Sequence, residues 1–69
     1  MTAPDHIRAQ AVAFARRMLA TEAEKLAATN RKRMEGHKPG DEHHAFLAAY
    51  VEEAEFLAKR LHKTAGEGA

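Results

Sequence analysis

The chain has 69 residues, eleven Lys/Arg against ten Asp/Glu, and no cysteine. A chain this short forms one domain at most and buries only about 60% of its unfolded surface, so its core is marginal without a staple. Composition excludes disulfides and thiolate chemistry, and a net charge of +1 exerts little long-range pull on nucleic acid or anionic lipid.

The N-terminal residues Met1–Asp5 lack the basic and apolar regions of a secretory signal. No apolar run nears the roughly 20 residues of a membrane span, so a cytoplasmic chain that avoids membranes is expected. Thr2 is placed to cap a first helix, with Asp5 three residues later and Pro4 in the first turn, where proline is tolerated. Nothing breaks the pattern before Glu35, which predicts a helix over about 3–35. Arg31, Lys32 and Arg33 suit its C-terminal dipole, and Gly36 is a natural left-handed cap. Gly36-His37-Lys38-Pro39-Gly40 carries turn chemistry, giving a turn over 36–41. Asp41 then caps a second helix over about 42–64, and residues 65–69 are expected to fray. A short connection between long helices makes them antiparallel neighbours. Their charges agree with that: residues 1–35 sum to +3 and residues 36–69 to −2.

The fold class expected is therefore all-α, a two-helix hairpin. At 1.5 Å per residue the first helix reaches about 50 Å and the second about 35 Å, so two or three turns bearing Ile7, Ala11 and Val12 should project. In the second helix Phe46, Leu47, Tyr50, Ala54, Leu57 and Leu61 share a face, with Val51 and Ala58 on its flank and Phe56 well off it. The first helix carries two adjoining stripes. One is Ile7, Ala11, Phe14 and Met18; the other is Val12, Ala15, Leu19, Ala23, Leu26 and Met34. One partner helix covers only one stripe, so assembly into a dimeric four-helix bundle or a larger oligomer is expected, through Ile7, Ala11, Phe14 and Met18.

Several polar residues fall where chemistry is conceivable. Glu22 lies within the apolar face near Glu53 and Arg60, which reads either as part of a bundle carboxylate cluster or as an interface-edge glutamate paired with Lys25, Lys59 or Arg60. No Glu-x-x-His spacing supports the first. Of five histidines, His37, His43 and His44 gather at the turn beside Glu35, Asp41 and Glu42. Such a set reads as a zinc site or, preferably, as polar capping, since neighbours on a helix diverge by about 100°. His43 is expected on the core stripe, closing the bundle end. Asn30, between Leu26 and Met34, either fixes register at a seam or reaches solvent. No metal and no cofactor is expected.

Serine and cysteine are absent, no threonine or tyrosine stands in a recognisable triad, and no glycine-rich phosphate loop occurs. Neither an enzyme nor a small-molecule substrate is expected. A small adaptor or regulator remains, one that pairs with itself and with a larger protein through helix faces, Phe56 with Arg60 forming the partner surface. Arg31, Lys32, Arg33 and Lys38 support an alternative, a dimeric nucleic-acid-binding hairpin. In shape the hairpin resembles the Rop-type RNA-binding hairpin, which pairs into a four-helix bundle. That resemblance is one of architecture and transfers no residue. A bundle site of carboxylates and histidines is the second alternative.

Overall fold

The computed structural model describes residues 4–67, as two helices, α1 (Asp5–Met34) and α2 (Glu42–Glu67), packed side by side. The molecule measures 52 × 20 × 15 Å, a layer one helix thick. Pro4 occupies the cap position of α1 with φ −54° and ψ 148°, and its carbonyl accepts from Arg8 at 2.9 Å. Proline therefore precedes the first turn instead of standing in it, because its fixed φ suits the extended backbone at a helix entrance. The expected cap, Thr2, lies outside the described residues.

At the other end of α1 the chain tightens. Glu35 N–H donates to Lys32 O (3.2 Å), Gly36 N–H to Arg33 O (3.1 Å) and His37 N–H to Met34 O (3.0 Å). Three-residue closures of this kind satisfy the last carbonyls, so Gly36 does not take the left-handed conformation expected of it. The reversal comes later. Gly40 has φ 96°, the one positive value among the described residues, and Asp41 N–H donates to Lys38 O at 3.0 Å. Lys38-Pro39-Gly40-Asp41 is thus a turn with proline second and a left-handed glycine third. Asp41 caps α2: its Oδ1 accepts from His43 N–H at 3.3 Å and its carbonyl from Ala45 N–H at 3.0 Å.

The core is a seam of small residues. In α1 the buried or half-buried positions are Ala13, Arg16, Ala20, Ala23, Ala27, Asn30 and Met34; in α2 they include His44, Leu47, Val51, Ala54, Ala58, Leu61 and Ala65. Spacings alternate between three and four, the seven-residue repeat of a coiled coil. Ala27, Val51 and Ala54 form its centre, with Met34 packed against them. Six of the eight buried apolar residues are alanine, and Ala20 is 0% exposed.

This rotates the faces expected from bulk: Leu47, Ala54 and Leu61 stay inside, as do Ala23 and Met34, but other positions change place. Val51 and Ala58 move from the flank to the seam, whereas Phe46, Tyr50 and Leu57 stand exposed, as do Val12, Leu19 and Leu26 of α1. His43 is exposed too, and His44 takes the half-buried place instead. The physical reason is distance: helices meeting through methyl groups approach more closely than leucine or phenylalanine would allow, and bulkier residues are displaced to the sides. Helix α2 also runs on past Thr64, with Ala65 only 1% exposed, and Ile7, Ala11 and Val12, which precede the first seam residue Ala13, are exposed.

Candidate functional site

Two helices laid side by side present two broad faces and two narrow edges. Which residues fall on each follows from the seven-residue repeat. The positions immediately beside the seam on one face are Arg17, Glu24 and Arg31 of α1 with Glu55 and His62 of α2. These meet across the helices. Arg31 pairs with Glu55, and the His62 ring donates to Glu24 from Nε2 at 2.5 Å. Each pair stands seven residues from the other on both helices, so one antiparallel register places both.

The opposite broad face is apolar. Beside the seam stand Val12, Leu19 and Leu26 of α1 and Tyr50 and Leu57 of α2, with Phe46 one row out, all exposed. A groove of about 200 Å³ opens there, lined by Ala23, Leu26, Tyr50, Glu53, Ala54 and Leu57. Sequence reasoning placed Phe46, Tyr50 and Leu57 on the packing face of the second helix and Leu19 and Leu26 on one of two apolar stripes of the first, while Val12 was expected to project. The signal that separates the two roles was Ala13, Ala20 and Ala27 at intervals of seven, matched by Ala58 and Ala65, with Glu24 and Arg31 flanking in the same rhythm.

The residues expected to drive self-assembly lie elsewhere again. Ile7, Ala11, Phe14 and Met18 share the side of α1 turned away from α2, and all are exposed, Phe14 to 60%. Phe56 (54% exposed) and Arg60 lie on the outer side of α2. They border a recess whose other lining residues are Lys59, Lys63 and Thr64. The basic set at the turn is divided: Arg31 is engaged by Glu55, while Lys32, Arg33 and Lys38 are exposed.

Glu22 is exposed and sits 3.6 Å from Lys25 in its own helix, the pairing expected of an edge glutamate. At the turn His37 lies 3.5 Å from Asp41, and its ring lies tilted against His43 at 4.5 Å between centroids, while His43 stacks at 6.5 Å on Phe46. Among the described residues no group of three or more histidines and carboxylates is arranged to hold a metal ion, and no helix is long and apolar enough to cross a membrane.

Two polar residues occupy the seam. Asn30 is buried at 8% exposure and donates from Nδ2 to Leu26 O at 2.7 Å, one turn back in its own helix. It therefore satisfies itself locally and makes no hydrogen bond to α2 through that amide. Arg16 reaches across, donating from a guanidinium nitrogen to Thr64 O at 3.2 Å. That carbonyl belongs to the last turn of α2, which has no basic residue of its own, so α1 supplies the positive charge its partner lacks. No protein-family model, no curated protein and no solved structure matches the chain.

Proposed function

We propose that the protein is a small, non-enzymatic adaptor or regulator that works through contacts of its helix faces, with a second copy of itself and with a larger protein. One observation carries this: alanine fills the seam while ten large apolar side chains stand outside it. A surface so arranged is favourable only when something else covers it. The accessible surface points the same way, at 5548 Å² against the roughly 4,300 Å² usual for a compact monomer of this mass. Phe56, an aromatic anchor ringed by long charged side chains, suits a groove on a larger partner. Ile7, Ala11, Phe14 and Met18 are a second uncovered patch.

Two measurements test the reading together. The melting midpoint should rise with protein concentration, as for any fold stabilised by association. A photoreactive side chain at position 56 should yield one recurring, larger crosslinked species in the native host. A midpoint independent of concentration, with no such species, would overturn it. Nucleic-acid binding draws less support, since Arg31 is already paired; a steep salt dependence of binding to generic nucleic acid would revive it.

A further inference from the structure

The geometry points to a specific occupant for the apolar broad face: a second copy of this chain, laid face to face and antiparallel, with its two-fold axis passing beside Leu57. This rests on the reading above and makes it definite. A two-fold contact must be self-complementary, each residue finding on the other copy what it offers itself. The face meets that demand in three ways.

Its middle is apolar on both helices, with Leu19 and Leu26 on α1 and Tyr50 and Leu57 on α2, so neither helix of the copy meets a polar row. Near the axis the charges of α2 are paired by symmetry, while Arg33 and His43 of the same face stand at its turn end, outside that pairing. Glu53 and Arg60 flank Leu57 on α2, one repeat apart, exposed, and in no ion pair among the described residues. Turning α2 about an axis beside Leu57 brings Glu53 onto Arg60 of the copy and Arg60 onto Glu53, two pairs from one operation. Glu22, the carboxylate of α1 nearest the axis, is already held by Lys25.

The area is sufficient as well. The molecule is 52 Å long and 20 Å wide, so one broad face offers an outline comparable with the roughly 800 Å² that each partner gives to a standard interface. The other broad face is a poor competitor, because Arg31 with Glu55 and Glu24 with His62 are already matched within the chain, and only Arg17 of that row is left without an ion pair among the described residues. In this arrangement the two turns lie at opposite ends of a four-helix bundle. Arg60 belongs to the contact between copies, while Phe56 stays on its border.

The test uses charge reversal on the full chain, with mass in solution and dissociation constant as readouts and circular dichroism as a check on folding. Glu53→Arg sets arginine against Arg60 of the copy twice, and Arg60→Glu sets glutamate against Glu53 twice. Each variant alone should dissociate roughly tenfold more readily than the parent. An equimolar mixture of the two should form a heterodimer within about threefold of parental strength, since every contact is then opposite in sign. Leu57→Glu, at the axis and counted twice, should weaken pairing by about a hundredfold or more. Three results would overturn the inference: a parent that stays monomeric at millimolar concentration, a mixture no stronger than its components, or a dimer insensitive to Leu57→Glu but abolished by Phe14→Glu with Met18→Glu. The last would leave self-association standing and move it to the outer side of α1.

Discussion

On one broad face of the hairpin, charged side chains reach across the seam and find partners in the same chain; on the other, the middle residues at equivalent positions are valine, leucine and tyrosine, with Arg33 and His43 at the turn end and Thr64 at the far end. Arg31 and Glu55 bridge the first face, as do Glu24 and His62. Val12, Leu19, Leu26, Tyr50 and Leu57 occupy the second. Both stand at the same distance from the same alanine seam, so backbone geometry does not explain the contrast. Side-chain chemistry does. The charged face can stay in contact with water at no cost, its paired side chains remaining solvated, whereas the apolar face gains only when covered. The hairpin is best understood as a platform with a finished side and an unfinished one.

The largest effect should come from breaking the platform itself. Ala20 has no accessible surface, and a leucine there has nowhere to go unless the helices separate. Ala20→Leu should destabilise the fold by about 2–3 kcal/mol, lowering the melting midpoint by about 10–20 °C. Its neighbour Leu19 points onto the apolar face, 57% exposed. Leu19→Ala should cost at most about 0.5 kcal/mol at low protein concentration. Equal effects at positions 19 and 20 would mean that the seam has been placed on the wrong row.

Smaller losses are expected where the two helices are tied end to end. Gly40 has φ 96°, and a side chain there costs about 1–2 kcal/mol of backbone strain, so Gly40→Ala should lower stability by that amount without altering either face. At the far end Arg16→Met keeps the aliphatic stem in the seam but removes the bond to Thr64 O. A loss of about 1 kcal/mol is expected, with faster amide exchange confined to the last turn of α2. Exchange that quickens throughout α2 would show that Arg16 holds the register and not merely the helix end.

These contrasts explain what the sequence revealed and what it hid. The hairpin was readable because its signals are local: Pro39-Gly40 reverses the chain, Asp41 opens a helix, and nothing within residues 5–34 interrupts one. The unfinished surface was readable too, because two stripes on one helix exceed what one partner covers. The row that would be buried was not. Wheel reasoning centred the face on its largest side chains, and Phe46, Tyr50 and Leu57 offer more area to bury than Val51 and Ala58. Close approach depends on smallness, which such a scale scores as weakness. The ion-paired face escaped notice for a related reason. Glu24 and His62 are 38 residues apart, and only the register set by the alanines brings them together.

The smallest expected effect is also the one that separates the two faces most cleanly. The side chains of Arg31 and Glu55 remain 61% and 41% exposed, so their attraction is diluted by water and by the entropy of holding two long side chains. A double-mutant cycle of Arg31→Ala and Glu55→Ala should therefore give a coupling of only about 0.2–1 kcal/mol. Near 1 M salt, where the screening length falls to about 3 Å, most of that should vanish. Substitutions on the apolar face should behave oppositely. Leu57→Ser should be nearly silent in dilute protein, grow more costly as concentration rises, and lose none of its effect in salt. A coupling above about 2 kcal/mol that survived high salt would mean the charged pair is desolvated beneath a partner. The finished and unfinished sides of the hairpin would then have to be exchanged.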